Sequence, residues 1–211
     1  MKTGRLLLLN AVIFIVIVAL GIGGYNYYYN ATHFIDTEDA RVAGDIVSVA
    51  APTSGVLANW KGKEGEQVTK GQVLGNVMVG NRATEIVSPI AGTIVQSKGV
   101  DGQMVAPGQV MAQVVDLGQL YIQANIEETE INDIQIGQEV DIVVDAEKET
   151  EIDGKIVQIG KATNSLFSLM PQQSASGDYT KVVQRIPVKI EMERYPDSLV
   201  PGLSATIRIH K

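Results

Sequence analysis

Carboxylates offer the densest chemistry in this sequence. Asp141, Asp145, Glu149 and Glu151 fall within one short stretch, and paired carboxylates are the working parts of glycoside hydrolysis. Nothing around them completes a catalytic set. No histidine has the spacing to act as base for a serine nucleophile, and no His, Asp and Glu cluster has metal-ligand spacing. The only histidines, His33 and His210, lie near the two ends of the chain beyond its N-terminal apolar run, and both read as solvated. Cysteine is absent, which excludes a disulfide framework, a thiolate metal site and a lipidated cysteine. With a net charge of −7, the chain lacks the basic face that a nucleic acid requires. The four carboxylates therefore read as a solvated acidic rim around a β-hairpin. The sequence predicts no enzyme, no metal and no cofactor.

The elements that position the remaining candidates are announced by a duplication. Ala51-Pro52-Thr53-Ser54-Gly55-Val56-Leu57 is answered by Ser88-Pro89-Ile90-Ala91-Gly92-Thr93-Ile94, and Gly65 to Leu74 by Gly102 to Met111. Positions 52 and 89, 55 and 92, 65 and 102, and 71 and 108 are all separated by the same 37 residues. A constant offset marks two copies of one supersecondary unit, and two copies are too few for a solenoid. Pro-x-x-Gly opens a turn, and the later glycines punctuate short Val, Leu and Met runs. That pattern predicts two interlocking halves built from many short strands.

Before the duplication, Leu6 to Gly24 is almost wholly apolar, interrupted by Asn10. At about 1.5 Å per helical residue this run nearly crosses a hydrocarbon core of about 30 Å. Lys2 and Arg5 precede it and Asp36, Glu38 and Asp39 come after it, so the positive-inside bias places the N-terminus in the cytoplasm. Tyr25, Tyr27, Tyr28 and Tyr29 stand where an interfacial aromatic belt belongs. A cleaved signal peptide is the competing reading, although the run exceeds the usual length of a signal h-region. Either way the rest of the chain is expected outside the cytoplasm.

Phe34 to Val47 reads as a lead-in strand. Beyond the duplication, Leu120 to Ile126 alternates like a half-buried strand. Glu127 to Ile134 has Ile131 and Ile134 at helical spacing with Gly137 placed to end it, which predicts one short helix. Strand signals return at 139–144, 154–159, 182–192 and 204–209, with Asp153-Gly154 and Pro201-Gly202 marking turns. Between them runs a long loop, 164–180, whose centre is apolar: Leu166, Phe167, Leu169 and Met170. Exposed apolar clusters mark interfaces, so these four residues are candidate contacts with a neighbouring copy or another protein. The competing reading is that the loop folds back to plug the barrel end.

Several motifs, taken in order, resemble one family. Ile35-Asp36-Thr37-Glu38-Asp39-Ala40-Arg41-Val42-Ala43-Gly44 is similar to the opening element of HlyD-type membrane fusion proteins, also called periplasmic adaptor proteins. The duplication resembles their biotinyl/lipoyl-like domain. Leu120 to Val140, with its Gln135-Ile136-Gly137-Gln138, resembles the start of their β-barrel. Lys181 to Ile190 is similar to the EmrA-like branch, and Val200-Pro201-Gly202-Leu203-Ser204-Ala205 to the family's closing element. The resemblance implies a mostly β protein: an N-terminal transmembrane helix, a lipoyl-like flattened β-barrel module, and a small antiparallel β-barrel domain with one short helix. The divisions it suggests are a tail at 1–5, an anchor at 6–24 and a lead-in at 25–45. A lipoyl-like domain at 46–116 comes next, in halves 46–77 and 84–116, with the barrel at 117–211.

The resemblance implies a non-catalytic adaptor subunit of an efflux system. Such a subunit is single-pass in the cytoplasmic membrane, homo-oligomeric, and partnered by a multi-span transporter of major facilitator or ABC type. Gram-negative relatives insert a long helical hairpin between the lipoyl halves, whereas here only 75–85 separates Leu74 from Ile86. This departure argues against direct contact with an outer-membrane channel. It leaves Gly80, Asn81 and Arg82 as a tip, a second candidate interface. True biotin or lipoyl carriers present a lysine at that tip, and here the position is Asn81. An anchored extracytoplasmic binding or adhesion module without a transporter partner is the alternative function.

Overall fold

The computed structural model describes residues 3–147, 150–163, 166 and 183–211. Side chains are described from Ile13 on, apart from those of Asn26, Tyr27, Asn30 and Ala31. Helix α1 (Thr3–His33) leads without a linker into β1 (Phe34–Ala43). The remaining strands divide between two cores.

The first core is a sandwich made from the duplication. Its strands are β2 (Ile46–Ala50), β3 (Gly55–Ala58), β4 (Gln67–Val68), β5 (Val73–Val79), β6 (Arg82–Val87), β7 (Gly92–Ser97), β8 (Met104–Val105) and β9 (Val110–Val115). They form two four-stranded sheets, β2-β9-β7-β4 and β6-β5-β3-β8. Advancing each strand of the first copy to its counterpart in the second turns one sheet order into the other. Each sheet thus takes two strands from each copy, which is what interlocking halves means physically. Leu57, Leu74, Val77, Ile86, Ile94, Met111 and Val114 fill the space between the sheets. The turn glycines Gly65, Gly71, Gly102 and Gly108 all have φ near +80°, from +81° to +84°, the left-handed region that favours glycine.

The second core is a closed antiparallel barrel, ordered β1-β10-β13-β12-β11-β14. Its later strands are β10 (Tyr121–Glu127), β11 (Glu139–Val144), β12 (Glu151–Ile159), β13 (Arg185–Met192) and β14 (Ser204–His210). Alternation places Ala205, Ile207 and Ile209 inward, and Ile122, Ala124 and Ile126 with them. Ile35 and Ala40 both face the core although they are five positions apart, a step that strict alternation would place on opposite faces. A β-bulge between Thr37 and Ala40 switches the phase. Closure removes the exposed strand edges that would otherwise invite pairing with another chain.

Two expectations are corrected. The lead-in strand 34–47 is two strands in two different cores. β1 pairs with β10 and β14 in the barrel, and β2 pairs with β9 in the sandwich. Gly44 lies at the crossing, where an added Cβ would meet Leu120 Cδ2 and Val115 Cγ1 at 2.9 Å each. The helix expected over Glu127–Ile134 is only a 3₁₀ turn, Ile131–Asp133. Glu127 is still paired with Arg185, and the Glu128 N–H donates to Gln184 O at 2.9 Å. Too few residues remain to nucleate an α-helix. Ile131 and Ile134 use their spacing instead to pack on the barrel core.

Candidate functional site

The tip between the two copies is a tight turn. Val79 and Arg82 pair directly, so Gly80 and Asn81 form a two-residue loop between β5 and β6. Gly80 has φ +61° and Asn81 is not in the positive-φ region, the pattern of a turn with glycine in its first central position. Asn81 and Arg82 are exposed, and no lysine is available there for carrier chemistry. The long helical hairpin is replaced by two residues.

Of the four apolar loop residues, Leu166 is 73% exposed, with its N–H donating to Thr163 O at 3.1 Å. Phe167, Leu169 and Met170 lie outside the described residues. The connection that carries Leu166 leaves the barrel from the C-terminal end of β12, the end at which α1 enters through β1. That placement comes from topology alone and could not be read from the loop's sequence.

The four carboxylates do not converge. Asp141 accepts from the His210 ring at 2.9 Å, Glu151 sits opposite Val143, and Asp145 opens a 3₁₀ turn. Glu149 lies outside the described residues. Among the described residues no group of three or more His, Asp or Glu could hold a metal ion.

The two histidines, read from the sequence as belonging to opposite ends, meet at the root of α1. The His33 ring stacks on Tyr29 at 4.1 Å, Tyr29 meets Phe34 at 6.3 Å, and Phe34 meets His210 edge-on at 5.0 Å. The Lys211 N–H donates to His33 O at 2.9 Å, extending the β14–β1 pairing into the helix end. Arg208 lies over the Phe34 ring and donates to Asp36 at 2.9 Å. That hydrogen bond, then the charge of Asp36, raises its pKa above the ordinary guanidinium value. The joint between helix and barrel is thus a stack of rings closed by a backbone hydrogen bond. The joint depends on the pairing of the first barrel strand with the last, which no local pattern in the sequence reveals.

On the barrel flank, Asp39 gathers Arg185 and accepts from Asn125 Nδ2 at 3.0 Å, beside a polar hollow lined by Asp36, Thr37, Glu127 and Glu130. Every described residue of α1 from Ile13 to Tyr25 is exposed. Among the described residues no helix is long and apolar enough to cross a membrane; their side chains begin at Ile13, inside the run Leu6–Gly24.

Comparison with known proteins matches both cores. Residues 45–116 match the barrel-sandwich hybrid domain of YhbJ, and residues 119–210 the AAEA-like β-barrel domain. YhbJ of Bacillus subtilis, whose name assigns it to an efflux system, is 42% identical over 209 residues, 99% of this chain and 94% of that protein. The colistin resistance protein EmrA of Acinetobacter baumannii is 40% identical over 98 residues, 46% of this chain and 28% of EmrA. The structure of the periplasmic adaptor protein EmrA superposes with a TM-score of 0.57 at 11% identity, covering 84% of this chain and 98% of that one.

Proposed function

The chain belongs to the membrane fusion, or periplasmic adaptor, family of efflux components, and from that premise we propose that it is a scaffold coupling a membrane transporter to an extracytoplasmic assembly. It is an adaptor subunit of an efflux system, and its partner is a transporter of the same membrane. The observation that carries this reading is the union, in one chain, of the interlocked sandwich and the closed barrel. Two well-packed β modules suit a part that holds others in position.

The finer features belong to the same proposal. Leu6–Gly24 anchors the chain as a single span with its N-terminus in the cytoplasm, supported by the apolar run and by the exposure of α1 from Ile13 on. The anchor holds the barrel beside the transporter and raises the effective concentration of the pair. The transporter is a multi-span protein of major facilitator or ABC type, and the adaptor assembles from several copies. The Gly80–Asn81 turn leaves no helical hairpin to reach an outer-membrane channel, which suits an envelope with one membrane. The exported compounds are drugs or other small molecules.

Affinity purification of the tagged full-length protein in mild detergent, with mass spectrometry of the co-purifying proteins, tests this reading. A stoichiometric multi-span transporter supports it, and that protein's class identifies the energy source. Recovery of the chain alone after cross-linking in cells overturns it in favour of an anchored binding module.

A further inference from the structure

The barrel end that receives α1 carries an apolar residue left exposed by the described residues. Ile136 is 67% exposed, at the head of the turn joining the 3₁₀ segment to β11. The turn itself is firmly held. The Gly137 N–H donates to Ile156 O at 2.8 Å, and the Gln135 N–H to Gln138 Oε1 at 2.8 Å. A rigid turn that displays isoleucine, flanked by uncharged Gln135 and Gln138, is built to present it.

We propose that this turn is a second membrane contact, with Ile136 entering the headgroup boundary of the bilayer beside the anchor. The proposal rests on the reading of Leu6–Gly24 as a membrane span, and geometry then sets the heights. From Tyr25 to His33 the helix climbs about 12 Å at about 1.5 Å per residue. The headgroup layer accounts for about 5–7 Å on each side of the core. His33 therefore stands about 5–7 Å above the headgroups when the helix is upright. Because Val140 pairs with Ile209 and Lys211 bonds to His33, residues 135–138 run on past the end of β14, back toward the membrane. Gln138 is level with Lys211, and the turn residues Gly137 and Ile136 project beyond it by less than the roughly 7 Å of two extended residues, so that the isoleucine side chain reaches the headgroup surface. α1 passes into β1 without a linker, and Tyr29 meets Phe34 across the joint at 6.3 Å.

The exposed rings of Tyr25, Tyr28 and Tyr29 make the contact continuous with the anchor, at the level where aromatic belts sit. Charge restricts it to one flank. The Lys211 ammonium is held by Asp133 at 3.2 Å beside the turn, and His210 is held by Asp141. Glu127, Glu128 and Glu130 end the β10 side, where an anionic surface repels them. The contact is accordingly apolar, insensitive to salt, and present on uncharged lipid.

The chain has no cysteine, so single-cysteine variants of the full-length protein report cleanly. Ile136→Cys, Ile15→Cys and Met104→Cys are each labelled with an environment-sensitive fluorophore and reconstituted into phosphatidylcholine vesicles, without a transporter. The expected result is blue-shifted emission at 136, quenching by lipids spin-labelled near the headgroup, and several-fold shielding from aqueous iodide relative to 104. A label at 136 as open to iodide as the one at 104, with the label at 15 quenched by lipid, overturns the proposal and leaves the anchor intact. Shielding from iodide without quenching by lipid shows a protein neighbour and also overturns it. If the label at 15 is itself open to iodide, the anchor reading falls and the proposal with it.

Discussion

Met78 lies on an open sheet face, while its counterpart 37 positions later, Val115, is completely buried under the barrel. The backbones around these two residues are near copies. The Gly65 N–H donates to Ile94 O and the Gly102 N–H to Leu57 O, at 2.8 and 2.7 Å. Lys61 bonds to Leu74 as Lys98 bonds to Met111, at 2.7 and 2.8 Å. The two halves differ in what each face meets. In the second, Val115 and Leu120 close against Gly44 at the passage to the barrel. In the first, the row Met104, Val56 and Met78 stays open, with Met104 78% exposed. Duplicated sequence therefore produced duplicated hydrogen bonding, and a single asymmetric attachment decided which copy became interior.

The sharpest symmetric element is a pair of glycines. An added Cβ at Gly55 would lie 2.4 Å from Met78 O, and one at Gly92 would lie 2.4 Å from Val115 O. Both obstacles are backbone and cannot move aside. Gly55→Ala and Gly92→Ala should each destabilise the sandwich by about 3 kcal/mol, the upper range for overpacking. Urea unfolding monitored by the fluorescence of the only tryptophan, Trp60, reads this module specifically. Costs that differ widely between the two variants would break the equivalence of the halves.

Trp60 marks where the symmetry fails. Its counterpart is Ser97, and the two meet, Trp60 Nε1–H donating to Ser97 Oγ at 3.1 Å. The indole occupies room left by Gly62, Gly75 and Gly99, where added Cβ atoms would lie 2.7, 2.8 and 2.4 Å from the tryptophan. Trp60→Ala should cost about 2 kcal/mol, below the usual range for a fully buried tryptophan because this ring is only half-buried. Ser97→Ala, which removes a bond to Gly62 O at 2.6 Å as well, should cost about 1 kcal/mol. Thermal unfolding by circular dichroism compares them, and equal costs would contradict the assignment of the indole as the asymmetric wedge.

A smaller test returns to equivalence. The Trp60 N–H donates to Asp101 at 2.7 Å, and the Ser97 N–H to Glu64 at 3.0 Å. The two acceptors are themselves counterparts. Asp101→Ala and Glu64→Ala should each cost about 1 kcal/mol, and the same urea titration should find them alike.

The smallest effect lies in the barrel and serves as a contrast. Lys155 and Glu193 pair at 2.6 Å, both exposed to solvent. Their hydrogen bond, then their mutual charge, lowers the Glu193 pKa and raises that of Lys155. The glutamate's contribution is present above the ordinary carboxylate pKa and is lost as pH falls through the lowered one. The lysine's is present below its ordinary pKa and is lost as pH rises through the raised one. Glu193→Gln should therefore flatten the acid limb of the stability profile slightly while leaving Trp60 fluorescence unchanged. Solvent screening keeps the effect small.

Much of the sandwich was legible because turn glycines and alternating apolar residues are local signals, and a constant offset makes them speak twice. The lack of a helical hairpin was legible because the stretch 75–85 is too short to go out and back as helix. The barrel was legible as strands but not as a closed ring. Nothing near Phe34 announces that it pairs with His210, since the pairing joins residues from opposite ends of the chain. For that reason the histidine joint went unseen in the sequence, and the helix expected after Glu127 gave way to strand pairing with Arg185.

By itself the sequence determined the local content: an apolar N-terminal run, a doubled β unit, a set of alternating strands, and the lack of a cysteine or a histidine cluster. Only the tertiary structure decided that the first strand belongs to the last domain, that both histidines meet at the root of α1, and that one face of a near-symmetric sandwich is covered. Those outcomes depend on contacts between residues far apart in the chain. Such contacts arise from the total apolar area that closure buries, and no short window of sequence contains that sum.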